Sequence, residues 1–213
     1  MIADLSLTGM LTAENLECIR GDHKLFENIA FSVKAGELMF VSGPNGSGKT
    51  SLLRLLCGLS VPDKGEIRWN GTNIRSLGGE YHSAMTYLGH LGGIKDDLTA
   101  IENLRISCAL AGYEIDEDQA KDALRRMGLA GREILPAKVL SQGQRRRVAL
   151  ARLLVTRTKL WILDEPLTAL DVMAVELIKG ILEHNLSRGG MIVMTTHQEI
   201  SMTAAATHHL VLS

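Results

Sequence analysis

The sequence predicts an α/β fold: a mostly parallel sheet, an antiparallel strand set near the N-terminus and a helical segment inserted in the middle. Three observations carry that prediction. An apolar run at residues 38–41 enters a glycine cluster and then a leucine-rich helical pattern. Residues 160–163 and 191–194 are short and fully apolar, as central parallel strands must be when both faces are covered. Helical patterns flank both runs.

Taken in order, residues 14–19 and 29–33 read as short strands and residues 38–41 as a buried one. Leu52, Leu53, Leu55, Leu56 and Leu59 then recur at helical spacing, with Gly58 and Pro62 marking the stop. A second strand pair is expected around residues 66–69 and 84–88. Thr99 with Glu102 has the spacing of a capping box and opens a helix to about Gly112; Ala120, Ala123, Leu124 and Met127 mark another helical face. Ser141 with Gln144 repeats the cap and opens a third helix to about Val155. The whole, residues 1–213, reads as a single domain, with residues 91–155 as an inserted helical subdomain and residues 1–10 as an N-terminal extension.

A chain of 213 residues suits one compact domain and excludes a complete membrane transporter. Lys and Arg number 23 against 24 Asp and Glu, a net charge of −1, so there is no bulk positive field to hold nucleic acid by counterion release. Two Trp, three Tyr and three Phe cannot line a base-stacking groove, so no nucleic-acid partner is expected. Any anion must be bound by a local site. No apolar window is long enough to span a bilayer, because Arg152, Arg157 and Lys159 break up the most apolar stretch. The first residues lack the pattern of a secretory signal, which predicts a cytoplasmic location. Cys18, Cys57 and Cys108 are odd in number and widely spaced, so they read as buried thiols rather than as a disulfide frame or zinc site.

Gly43, Pro44, Asn45, Gly46, Ser47, Gly48, Lys49 and Thr50 spell G-x-x-x-x-G-K-T between an apolar strand and a helix. The glycines let backbone N–H groups approach phosphate oxygens, and the helix points its positive end at them. Lys49 supplies a point charge to the terminal phosphates, and the hydroxyl of Thr50 can ligate Mg²⁺, with Ser51 next to it in the same turn. Asp164 and Glu165 follow a four-residue apolar run. An aspartate at the carboxyl end of a strand can hold Mg²⁺ through water, and the adjacent glutamate can orient or deprotonate an attacking water.

Leu140, Ser141, Gln142, Gly143 and Gln144 resemble the signature sequence of the ABC ATPases, and the order around them agrees: phosphate loop, helical stretch, signature, acidic strand, Asp171, then His197. The resemblance covers about residues 11–213 and implies a P-loop NTPase fold of ABC type. It implies a homodimer whose subunits face head to tail, each ATP lying between the phosphate loop of one and the signature of the other. It further implies that Glu165 is the general base, that His197 contacts the γ-phosphate and steadies Glu165, and that Asp171 lies in the loop crossing the dimer interface.

Three positions depart from the family pattern. Gln142 replaces the first glycine of LSGGQ. His90 falls where the family carries a magnesium-contacting glutamine; a neutral imidazole can accept from metal-bound water, and imidazole protonates near about pH 6.5, so coupling is expected to weaken in acid. Arg20 stands where relatives stack an aromatic on adenine, and its planar guanidinium is expected to stack instead, with weak base selectivity.

Among ABC ATPases, the text around His90, residues 98–104, 161–166 and 195–198 is similar to the ATP-binding subunits of cytochrome c maturation, the haem exporters. That similarity implies two integral membrane partners at the cytoplasmic face of the bacterial inner membrane, and an indirect link to a periplasmic haem chaperone. The subunit of another ABC transporter remains open, as does a soluble ABC ATPase for metal-cluster assembly. A DNA-repair ATPase is disfavoured, because no long coiled coil or CxxC module separates Lys49 from Ser141.

Overall fold

A computed structural model describes residues 9–90, 92–196, 200–202 and 206–213. The chain opens with strands β1 (Met10–Arg20), β2 (His23–Lys34) and β3 (Glu37–Ser42), followed by helix α1 (Lys49–Leu56). Strands β4 (Lys64–Trp69) and β5 (Thr72–Asn73), short helices α2 (Ile74–Leu77) and α3 (Gly79–Ala84), and strand β6 (Met85–Leu88) come next. Four helices then run without an intervening strand: α4 (Ala100–Leu110), α5 (Glu117–Arg126), α6 (Gln142–Leu150) and α7 (Arg152–Val155). Strand β7 (Leu160–Leu163), helix α8 (Val172–Ser187) and strands β8 (Met191–Thr195) and β9 (Ala206–Val211) complete the order.

The strands form two sheets, ordered β2-β1-β4-β5 and β6-β7-β8-β3-β9. The first is antiparallel and the second parallel throughout its paired registers. Alternation along the parallel strands explains why those runs lack polar residues. Leu38, Phe40, Trp161, Leu163, Ile192 and Met194 face a core shared with α4, α5, α6 and α8. Met39, Val41, Leu160, Ile162, Met191 and Val193 face a second core built from the leucines of α1 and the inner side of the antiparallel sheet. A sheet buried on both faces carries apolar side chains at every position.

One expectation is corrected. Residues 66–69 and 84–88 do not pair with each other: β4 lies between β1 and β5, whereas β6 pairs in parallel with β7. The cause is non-local, since α2 and α3 carry the chain from one sheet to the other. The helix expected from Ser141 to about Val155 is divided by a turn at Ala151 into α6 and α7. Both predicted capping boxes are present, at Thr99 with Glu102 and at Ser141 with Gln144, and Asp116 with Gln119 forms a third at the start of α5. The far end of α1 is tied down by Tyr81, whose hydroxyl donates to the Leu56 carbonyl at 2.6 Å. Cys18, Cys57 and Cys108 are free and buried, and burial raises the pKa of each thiol.

Candidate functional site

The parallel strands β3, β6, β7 and β8 end on one side of their sheet, where open α/β sheets collect their ligands. β3 leads into the glycine loop and α1. Gly48 caps α1 at φ 95°, and a Cβ there would lie 3.0 Å from the Phe26 ring, so both backbone and space demand glycine. A glycine cap has no oxygen to offer, and α1 accordingly has no side-chain cap. The N–H groups of its first turn have no intrahelical acceptor, the arrangement that suits an anion.

Lys49 Nζ donates to the carbonyls of Gly43 at 2.7 Å and Pro44 at 2.9 Å. The ammonium is thus folded onto its own loop, where a phosphate would compete for it. Among the described residues, the buried hydroxyl of Ser47 finds no hydrogen-bond partner. An orphaned buried polar atom in a loop of this shape fits a ligand that brings its own oxygens.

Asp164, at the end of β7, is only 2% exposed. Its two oxygens accept from Thr50 Oγ1 at 2.9 Å and Thr195 Oγ1 at 2.8 Å. Because the Thr50 proton points to Asp164, the lone pairs of that hydroxyl remain available to a hard cation such as Mg²⁺. No group of three or more His, Cys, Asp or Glu that could hold a metal exists among the described residues. A Mg²⁺ ion here fits as one held by Thr50 and, mainly, by the phosphates of a bound nucleotide.

Glu165 sits at φ 47°, an uncommon conformation for a side-chain-bearing residue. Its N–H donates to Thr195 Oγ1 at 2.8 Å, so one hydroxyl at the end of β8 serves both acidic residues. Its carboxylate accepts from Thr168 Oγ1 at 3.2 Å and lies 3.8 Å from His90 Nδ1. Lys49, Thr50, Asp164, Glu165 and His90 therefore converge. Arg20 is exposed and lines a cleft of about 430 Å³ with Ser51, Arg54, Ser60 and Val61.

The remaining candidates lie elsewhere. Ser141 and Gln142 are exposed at the start of α6. Ser141 Oγ accepts from the Gln144 N–H at 3.2 Å, and Gln144 Oε1 accepts from the Ser141 N–H at 3.0 Å. Gly143 is held for a reason that spacing did not reveal: a Cβ there would meet the Ala169 carbonyl at 2.6 Å. Asp171 caps α8 by accepting from the Ala174 N–H at 2.8 Å. Among the described residues no hydrogen bond joins Ser141–Gln144 or Asp171 to the loop at residues 43–51. His197 lies outside the described residues.

Two residues that sequence reasoning passed over complete the site. Thr195 could have been noticed as the polar residue closing an otherwise apolar strand. Arg146 could not, because its partners are distant backbone carbonyls.

A family model described as ABC transporter matches residues 26–168. The chain belongs to the ABC transporter family. Among curated ABC proteins it is 81% identical over 204 residues to the "Cytochrome c biogenesis ATP-binding export protein CcmA" of Nitrosomonas europaea, covering 96% of each chain. The protein of the same name from Nitrosospira multiformis is 69% identical, covering 93% of this chain and 97% of that one. Among solved ABC structures, a putative ABC transporter ATP-binding protein from Pyrococcus furiosus superimposes with a TM-score of 0.81 at 26% identity, covering 95% of this chain and 97% of that one. The two-sheet architecture is thus the ABC ATPase fold.

Proposed function

We infer that this chain is the ATPase subunit of an ABC exporter serving cytochrome c biogenesis, working as two head-to-tail copies on two integral membrane subunits. The observation that carries the reading is the 81% identity, across 96% of both chains, to an ATP-binding export protein of that system. The converging Lys49, Thr50, Asp164 and Glu165 agree with it chemically.

The first-turn N–H groups of α1 and the Lys49 ammonium bind the β- and γ-phosphates. Thr50, with Asp164 acting through water, would hold Mg²⁺ together with the phosphates, and the ion would supply neutralising charge to the phosphate oxygens. Glu165 accepts a proton from a water aligned with the γ-phosphorus. The oxygen of that water bonds to phosphorus, the bond to the β–γ bridging oxygen breaks, and ADP leaves with the electron pair. His90 and Thr168 orient the Glu165 carboxylate, and His197 contacts the γ-phosphate. Ser141 to Gln144 of the second copy close the site, with Asp171 in the loop between copies and Arg20 beside the adenine.

No helix among the described residues is long and apolar enough to cross a membrane. In this reading passage belongs to the two membrane subunits, with the ATPase at the cytoplasmic face of the bacterial inner membrane and a periplasmic haem chaperone downstream. Isolating the chain from detergent-solubilised membranes should bring down two very hydrophobic polypeptides. Replacing the chromosomal copy with Glu165→Gln should abolish haem attachment to c-type cytochromes. Co-isolation of soluble partners only, with normal cytochromes, would contradict the reading.

A further inference from the structure

Arg146 lies in the second turn of α6 and is the one buried arginine among the described residues, 8% exposed. All five of its recorded hydrogen bonds go to backbone carbonyls. Nε donates to Pro166 at 3.2 Å, Nη2 to Asp164 at 2.8 Å and Glu165 at 2.6 Å, and Nη1 to Gly89 at 3.2 Å and His90 at 3.0 Å. A guanidinium has five N–H donors in a rigid fork, so its capacity is filled. Burial lowers the Arg146 pKa, with the charges of Asp164 and Glu165 opposing.

Burying a charge is costly, and the carbonyls show what the cost secures. They belong to two separate loops, one leaving β6 with His90 and one leaving β7 with Asp164 and Glu165. The side chains of those loops meet where His90 Nδ1 lies 3.8 Å from Glu165 Oε2, and Glu165 itself is at φ 47°, a conformation that its surroundings must enforce. The same α6 begins at Ser141. A lysine, with three donors on one nitrogen, cannot span both loops in this way.

We propose that Arg146 is a positioning residue for ATP hydrolysis, fastening the signature helix α6 to the backbones of His90 and Glu165 so that the helix and the base move as one unit. The proposal rests on the reading of Glu165 as general base, and the test separates the two. Single-turnover hydrolysis and ATP binding would be measured on the intact complex for Arg146→Lys, Arg146→Gln, Glu165→Gln and the double variant Arg146→Gln/Glu165→Gln, each with a melting curve. Both Arg146 variants should stay folded at the assay temperature and hydrolyse at least about tenfold more slowly, with ATP affinity changed less than about threefold. The double variant should match Glu165→Gln alone, because a residue acting through the base has nothing further to remove.

Wild-type rate in Arg146→Gln, equal losses in rate and affinity, or a double variant well below Glu165→Gln would overturn the positioning role. Failure of both single variants to fold would make Arg146 a core residue and overturn it as well. Full activity in Glu165→Gln would instead sink the base reading.

Discussion

Two helix starts in this chain are built in opposite ways. α1 begins at a glycine in the left-handed region with no side-chain cap. α6 begins at Ser141 with a complete capping box, Ser141 and Gln144 each accepting from the backbone of the other. An uncapped helix start can give its N–H groups directly to phosphate. A self-capped one has used part of that capacity. The serine hydroxyl, however, spends only a lone pair on the cap and retains its proton to donate. In the proposed reading, the first start holds a nucleotide by itself and the second completes a site on another copy. Surroundings differ in the same sense: Lys49 and Asp164 are buried, whereas Ser141 and Gln142 are exposed.

Removing the charge at the first start should have the largest effect. Lys49→Ala should lower ATP hydrolysis by about 10²–10³-fold and weaken ATP binding to the single chain, read by steady-state assay and calorimetry. The next substitution separates capping from donation at the second start. Aspartate caps as well as serine but has no proton to give and repels phosphate. Ser141→Asp should therefore keep its melting temperature and its single-chain ATP affinity while losing about 10²-fold or more in hydrolysis. If affinity fell with rate, the two starts would be serving one chain.

Gly143→Ala tests how the second start is seated. On an open helix this change stabilises by about 1 kcal/mol, but here the new Cβ meets the Ala169 carbonyl at 2.6 Å. Overpacking of about 1–3 kcal/mol should win, lowering the melting temperature and disturbing the loop from Glu165 to Asp171. The smallest effect is expected at Arg20, where loss of a stacked guanidinium, about 0.5–1 kcal/mol, should weaken ATP binding roughly two- to fivefold and GTP binding equally.

What could be read from the sequence followed the range of the interaction. The phosphate loop, the acidic pair and the capping boxes at Thr99 and Ser141 are encoded within a few residues each, and their spacing is itself the physical requirement. The alternation of buried faces in β3, β7 and β8 was legible as uninterrupted apolar text. Illegible features join distant segments: β4 and β6 entering different sheets, Gly143 pressed against Ala169, and Thr195 serving both Asp164 and Glu165. Arg146 sits in a run of three arginines, and nothing in that run marks which one is buried.

The central claim is that one ATP lies between the α1 start of one copy and the α6 start of another. Mixing Lys49→Ala and Ser141→Asp chains, each nearly inactive alone, tests it directly. Random pairing makes half of the dimers mixed, and each mixed dimer keeps one intact site, so the mixture should regain roughly a quarter of wild-type hydrolysis. Activity no higher than the average of the two separate variants would contradict the account.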